Sequence, residues 1–207
     1  MAQLKSLDDL RRVIAEPRAT TKSKILDALD EQSIEFLGRC PFALVGTVSA
    51  DGTLEISPKG DEPGFIRVED PKTLLIPERV GNNLAFGLTN MIANGKIGLI
   101  CLVPATGETL RVSGTAEVYD DADLVASLSS LGKPALLATR VRIQHCYFHC
   151  ARSIVRAKLW DPKAWPPASR VSFGKIIAPR VGAGDDMAAQ IDASVEGAYT
   201  TRLWQTD

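Results

Sequence analysis

The segment GFIRVEDPKTLLIPERVGNN (Gly64–Asn83) contains two short apolar runs and an abrupt polar end. Asp70–Pro71 is a turn signal between the runs, which are therefore expected to pair as a β-hairpin. After Ile76 the chain becomes polar and includes Arg79 and the pair Asn82–Asn83. A simple surface turn does not need all these groups. The end of the second strand is therefore a candidate binding site.

The neighbouring segments repeat the hairpin pattern. Pro41–Pro58 is typical of strand, turn and strand, with Asp51–Gly52 at the turn. Lys96–Pro104 is almost entirely apolar, Glu108–Tyr119 alternates strictly between apolar and polar residues, and Leu136–Ile143 has strand character. Sequential hairpins favour an antiparallel sheet curled into a barrel or sandwich. We expect a mainly β fold with flanking α-helices.

Helical spacing of apolar residues predicts the remaining elements. In the helix after Asn82, Asn83 is the expected N-cap and Gly95 the expected stop. The predicted helices cover Leu4–Ile14, Ile25–Gly38, Asn83–Gly95, Asp121–Gly132, Gln144–Trp160 and a last segment near Met187–Trp204.

Composition restricts the possible classes of protein. The chain has 207 residues, 45% of them apolar, and a net charge of −1, which is typical of a globular protein and gives no global case for binding nucleic acid or an anionic membrane. We expect one domain over 1–207, with an N-terminal helical segment (1–38), a barrel core (40–160) and a C-terminal extension (161–207). The N-terminus lacks the apolar core of a secretory signal, so a cytoplasmic protein with four free thiols is predicted.

Arg67 is the first candidate for chemistry. Its strand pairs with Thr73–Ile76, and in a curled sheet its guanidinium could approach the N-terminus of the helix that follows Asn82. A guanidinium together with free helix N–H groups is suited to a phosphate. The alternative is that Arg67 is a solvated strand residue and that Asn83 only caps the helix.

The segment HCYFHC (His145–Cys150) invites two further interpretations. Placed on a helix, the His pair and the Cys pair point about 100° apart, so core packing of Cys146 and Cys150 is favoured over a metal site. On another face of that helix lie four basic residues, His145, His149, Arg152 and Arg156. This cationic stripe could contact a substrate, a phosphate of a partner subunit, or only solvent.

Three blocks together resemble a known family. They are SPKGDEPGFIRVEDPKTLLIPERVGNN, IANGKIGLICLVP and GETLRVSGTAEV, within a match that spans roughly Phe36 to Trp160. The set is similar to the pyridoxamine 5′-phosphate oxidase-like FMN-binding split-barrel family. The resemblance implies a homodimer of six-stranded antiparallel split β-barrels, with FMN in a cleft between the subunits.

The resemblance also assigns residues to the flavin. Arg67 matches a strand cation that grips the FMN phosphate, and Ile76 and Pro77 match strand-end residues that lie against the isoalloxazine ring. Asn82 and Asn83 replace an Arg–Lys pair of the oxidases, so this chain departs from the family pattern there. That loss of charge would shift phosphate binding toward Arg67, Arg79, Lys59 and the helix end.

Four further positions complete the predicted cofactor site. Thr109 falls where the oxidases use a glutamine toward the flavin, and Arg111 lies on the same strand face. Ser57 and Lys59 belong either to a flavin-facing loop or to an ordinary turn with a solvated lysine. Arg156 lies in a late segment, FHCARSIVRAKLW, that recurs in these flavoproteins.

Three functions remain open from the sequence. The first is an FMN-dependent oxidoreductase that acts on a small molecule or a second cofactor; no catalytic residue can be named, and the chemistry would belong to the cofactor. The second is a non-catalytic flavin carrier or sensor. The third, a nucleic-acid-binding barrel, is disfavoured because the strands carry few aromatic residues for stacking.

Overall fold

The computed structural model describes residues 3–204. Seven strands form one sheet in the order β2-β1-β5-β6-β7-β4-β3, and every neighbouring pair is antiparallel. The strands are β1 Phe42–Val48, β2 Leu54–Gly60, β3 Arg67–Asp70, β4 Thr73–Glu78, β5 Lys96–Leu102, β6 Thr109–Tyr119 and β7 Leu137–His149.

The mainly β architecture with flanking helices is confirmed, and the sheet is of the split-barrel type. It has seven strands where six were expected. In the described part of the chain no backbone ladder joins the edge strands β2 and β3, so the sheet is open. The helices are α1 Leu7–Arg11, α2 Ala19–Lys22, α3 Glu31–Gly38, α4 Phe86–Asn94, α5 Ala122–Ser127, α6 Arg152–Ala157, α7 Phe173–Ile177 and α8 Asp185–Thr201.

Strand register divides the sheet into an inner and an outer face. Val112 lies opposite Leu99 on one side and Cys146 on the other, and all three side chains are buried in the core. Arg111, one residue earlier, points to the outer face, because side chains alternate along a strand. The strict alternation in the sequence of β6 therefore corresponds to an apolar inner face and a polar outer face.

Helix α4 packs against β1, β2 and β6. Asn90, which is buried, donates from Nδ2 to the hydroxyl of Thr47 on β1 at 3.1 Å. The predicted stop is confirmed: Gly95 takes a φ of 68°, which a glycine adopts without strain. The predicted N-cap is wrong, because the helix begins at Phe86 after Ala85 in the left-handed region, with no side-chain cap.

The prediction of one helix over Gln144–Trp160 is wrong. Strand β7 continues through His149, and only Arg152–Ala157 is helical. The strand persists because β6 pairs with it as far as His149 on one side. On the other side, the Leu26 backbone exchanges two hydrogen bonds with Cys146, of 2.9 and 2.8 Å. A helix could not satisfy both neighbours.

The same contact corrects the N-terminal prediction. Leu26 lies in an isolated bridge to β7, so the predicted helix over Ile25–Gly38 is reduced to α3 at Glu31–Gly38. The predicted helix over Leu4–Ile14 is reduced to α1, whose N-cap Ser6 forms a capping box with Asp9.

Side-chain ion pairs close the barrel where the backbone does not. Strands β2 and β4 are separated by four strands in the sheet, yet Lys59 on β2 forms an ion pair with Glu78 on β4. Glu78 is only 4% exposed and also accepts a hydrogen bond from the Thr139 hydroxyl at 2.9 Å. Just beyond the two strands, Arg79 Nε lies 2.6 Å from Asp61 Oδ2. The two pairs hold the curled sheet together.

Removing the cation of the buried pair should be costly. Lys59→Met leaves the Glu78 carboxylate buried without its cation, and we expect a loss of about 3–5 kcal/mol in the free energy of unfolding. Urea denaturation measures the change. The control is Lys72→Met, because Lys72 pairs with Asp27 on an exposed surface and should cost about 0–1 kcal/mol. Equal losses in the two variants would contradict a structural role for the Lys59–Glu78 pair.

Candidate functional site

A buried carboxylate organises the region just after β2. The Asp61 side chain is 1% exposed and accepts hydrogen bonds from four donors. These are Arg79 Nε at 2.6 Å, Ser130 Oγ at 2.6 Å, the Trp204 indole N–H at 3.0 Å and the Glu62 backbone N–H at 2.8 Å. Four segments that are distant in sequence are thereby fixed around one anion.

These donors keep Asp61 ionised. Burial by itself would raise the pKa of its carboxyl, but hydrogen bonds from Ser130, Trp204, the Glu62 N–H and Arg79 together lower that pKa below its ordinary value of 3.8. Because all the surrounding groups are donors, Asp61 serves as a structural anion and is not poised to exchange protons near neutral pH.

Arg79 is occupied by protein acceptors. Besides Asp61, its guanidinium donates to the Leu128 carbonyl at 2.7 Å and to the Lys133 carbonyl at 3.5 Å. Its side chain is 12% exposed. A direct role in phosphate binding, predicted from the sequence, would therefore require this network to rearrange.

A pocket of about 140 Å³ opens beside this network. It brings together Arg67, Pro77 and Arg79, three of the predicted cofactor residues. The Asp61–Pro63 turn, the following Gly64 and Phe65, and residues Leu128, Ser129 and Ser130 supply the other walls.

Arg67 is the most available cation of this pocket. It is exposed and lies on the outer face opposite Leu75. Its guanidinium donates to the Ser127 carbonyl at 2.6 Å, which holds it without neutralising its charge. Among the residues from 3 to 204, no carboxylate forms an ion pair with it. It is therefore placed and charged to bind an anion.

The other residues of the predicted strand-end site face different ways. Ile76 is 1% exposed and points into the core, so that its backbone alone could contact a ligand. Ser57 and Lys59 lie on the same, inner face of β2, where Lys59 is held by Glu78. They are strand residues, and neither belongs to a turn or loop.

The asparagine pair forms an exposed turn before α4. Asn82 Oδ1 accepts from the Leu84 backbone N–H at 3.1 Å, and Asn83 takes a φ of 60°. Asn82 therefore stabilises the turn, while the Asn83 side chain is left exposed to solvent.

Thr109 and Arg111 lie far from the pocket within one chain. Arg111 is eight residues before Tyr119, which lies opposite Ala138, and Ala138 lies opposite Pro77. At about 3.3 Å per residue, some 26 Å of strand separates Arg111 from the pocket level. One chain does not bring these predicted flavin residues together with Arg67.

The predicted cationic stripe is also divided. Arg152 and Arg156 are exposed on the short helix α6, whereas His145 and His149 lie on β7. Cys146 is buried in the core, as expected, but from a strand, whereas the predicted core packing of Cys150 is wrong, because Cys150 is exposed. The described residues contain no cluster of three or more His, Cys, Asp or Glu able to hold a metal. All four cysteines are free.

Sequence reasoning missed the residues at the centre of this region. Asp61 and Ser130 are separated by 69 positions, and Asp61 and Trp204 by 143. Nothing in local spacing links them. The one available signal was Asp61 itself, an acid directly after the strand that contains Lys59.

A curled antiparallel sheet with a pocket at one strand end defines a protein of the split-barrel class. The family model described as pyridoxamine 5′-phosphate oxidase matches residues 29–150, more than half of the chain. The chain belongs to this family.

Three solved structures are similar to part of the chain. HupZ of Group A Streptococcus is 21% identical, with 58% of this chain and 93% of that chain covered at a TM-score of 0.46. A protein from Clostridium acetobutylicum related to general stress protein 26 is 17% identical, with 59% and 91% covered and a TM-score of 0.45. An F420 reductase is 16% identical, with 58% and 98% covered and a TM-score of 0.40. No curated protein matches the chain.

None of the helices between residues 3 and 204 is long and apolar enough to cross a membrane.

The ionised state of Asp61 predicts a pH dependence. Its lowered pKa means that the carboxylate stabilises the fold fully above about pH 4 and that this contribution is lost as the pH falls through the lower, folded-state pKa. Asp61→Asn has no carboxylate at this position, so this pH-dependent contribution is absent from the variant at every pH. We therefore expect the variant to be less stable at neutral pH and to lose less stability than the parent between about pH 6 and pH 3. Denaturant unfolding at each pH measures this.

Asp120→Asn, on an exposed loop, is the control for that experiment. Its free energy of unfolding should change with pH in the same way as that of the parent protein. If the free energy of unfolding of Asp61→Asn also matched that of the parent at every pH, the ionised network around Asp61 would not contribute to stability.

Proposed function

We propose that this protein binds FMN at the pocket beside Arg67 and acts as a flavin-dependent oxidoreductase on a small molecule or second cofactor. The observation that carries the proposal is Arg67, an exposed guanidinium held by a neutral carbonyl at the mouth of a pocket, in a chain of this family. Bound FMN would supply electron transfer at its ring.

The residues present fit part of FMN. Arg67 would bind the phosphate by charge-assisted hydrogen bonds. Pro77, which is buried but lines the pocket, would offer an apolar surface beside it, and the Asp61–Arg79 network would hold the pocket wall rigid. Asn82 and Asn83 carry no charge, so Arg67 would bear most of the phosphate affinity.

One chain does not provide a whole flavin site. A pocket of about 140 Å³ is well below the roughly 300–1,000 Å³ typical of small-molecule sites. We propose that a second copy supplies the missing wall, as a homodimer with the cleft between subunits. Thr109, remote from Arg67 in its own chain, would then face the flavin from the partner.

The surface of the chain supports such a dimer. Its accessible area is 13805 Å², against about 9,400 Å² expected for a compact monomer of this mass. On the outer face of β1 and β2, Phe42 is 40% exposed, Leu54 70% and Ile56 68%. An apolar sheet face of this kind is typical of a protein interface.

Arg67→Ala tests the cofactor assignment. Loss of one charge-assisted contact worth about 1.5–3 kcal/mol should weaken FMN binding roughly ten- to a hundredfold. Flavin fluorescence titration measures the affinity, and Arg18→Ala, on an exposed helix cap, is the control. An unchanged affinity in Arg67→Ala would remove Arg67 from the site. A parent protein that ignores FMN would refute the proposed function itself.

The reaction class is tested on the FMN-loaded protein. Rapid reduction by NADH or NADPH followed by reoxidation is expected for an oxidoreductase. Tight binding with slow reduction would instead identify a flavin carrier or sensor.

Ile56→Glu tests the dimer. A charge in the apolar face should shift the protein from dimer to monomer and weaken FMN binding with it, because the second wall is lost. Sedimentation velocity measures the mass. Val13→Glu is the control, since Val13 is also strongly exposed, at 76%, but lies outside the sheet. If the parent protein is monomeric, the proposal of a flavin cleft between two subunits is wrong.

A further inference from the structure

Five side chains form a basic array on the outer face of β6 and β7, centred on Tyr147. Arg111 lies directly opposite Tyr147, and His145 and His149 lie two residues to either side of it, about 7 Å along the strand. Lys24 reaches the ring from the N-terminal segment that pairs with β7. We call Lys24, Arg111, His145, Tyr147 and His149 the Tyr147 array.

Two cations contact one aromatic ring in this array. Arg111 Cζ lies 5.5 Å and Lys24 Nζ 5.3 Å from the centroid of Tyr147. Each is attracted by the ring quadrupole, but the two positive charges repel each other. Arg111 reaches the ring from β6 and Lys24 from the segment on the other side of β7, so the two cations flank the ring and make the surface around it positive.

No carboxylate among residues 3–204 pairs with the cations of this array. Across the described residues, no ion pair involves Lys24, Arg111, His145 or His149. His145 and His149 are exposed, and Arg111 and Tyr147 are half-buried. The array is thus accessible and positively charged.

A second Arg–Tyr pair on the same sheet face shows the contrast. Arg140 lies over Tyr119 at 4.9 Å, but there Glu69 forms an ion pair with Arg140 at 2.9 Å. The Tyr119 hydroxyl donates to Glu117 at 2.5 Å. The arginine beside Tyr119 therefore has an acidic partner, whereas the arginine beside Tyr147 has none among the described residues.

We propose that the Tyr147 array binds the diphosphate group of a nucleotide-type substrate. A guanidinium forms paired hydrogen bonds to phosphate oxygens, and the ammonium and both imidazoles add donors on either side. The donors extend along β7 over four residues, about 13 Å, with about 7 Å between neighbours, so the two phosphates of a diphosphate can each contact a different donor. The inference goes beyond flavin binding, and its test does not require flavin.

Inorganic pyrophosphate is the probe, and the histidines are the reporters. The chain has only two histidines, and both belong to the array. Titration followed by NMR of the imidazole signals should therefore move both signals with one saturable binding curve. Added salt should weaken the binding, since it is electrostatic.

Variants decide whether the array is responsible. Arg111→Gln should weaken pyrophosphate binding at least about tenfold, the loss expected for a charge-assisted contact, and Lys24→Gln should weaken it several-fold. Arg140→Gln removes the neutralised arginine of the same face and should leave binding unchanged. Histidine signals that do not move, or an equal loss in Arg140→Gln, would overturn the proposal.

The titration is repeated with FMN, whose binding is read separately from its visible spectrum. An unchanged pyrophosphate response in the FMN-loaded protein supports two separate sites. If FMN abolished the response, the array would be the cofactor's own phosphate site and the inference would fail. Failure of FMN binding with an intact pyrophosphate response would refute the proposed function alone.

Discussion

The structure depends on burying two carboxylates between the ends of β2 and β4. Glu78 and Asp61 are withdrawn from water, and a buried carboxylate is tolerated only with a cation and hydrogen bonds around it. Lys59 and Arg79 supply those cations. Each ion pair joins the end of β2 to the end of β4, although four other strands lie between β2 and β4 in the sheet. The sheet must curl for the pairs to meet, so these interactions convert an open sheet into a barrel.

This constraint also shapes the candidate site. The polar residues after Ile76 serve the barrel first: Glu78 and Arg79 are both used in closure. Arg67 remains as the cation available to a ligand, held by the carbonyl of Ser127, the last residue of α5. Trp204, near the end of the C-terminal extension, bonds to the same Asp61, so the extension is tied to the pocket wall.

The two faces of the sheet have separate roles. The inner face forms the core, while the outer face runs from apolar residues on β1 and β2 to the basic array on β6 and β7. Arg67 and Arg111 share that outer face but lie at opposite ends of it. A site that uses both Arg67 and Arg111 therefore needs a second chain. The Tyr147 array, in contrast, gathers its charges within a single chain.

The sequence by itself determined the hairpins, the strict alternation of β6 and the stop at Gly95, because turn residues and side-chain period act over a few positions. It also placed Arg67 on a strand. It led to a wrong prediction of a helix for HCYFHC, since residues at i and i+4 nearly share a face in a helix and do share one in a strand. This segment is a strand because it pairs with β6 on one side and with Leu26 on the other. The Asp61 network was likewise decided only by tertiary structure, because burial brings together donors up to 143 positions apart, and local pattern does not encode such contacts.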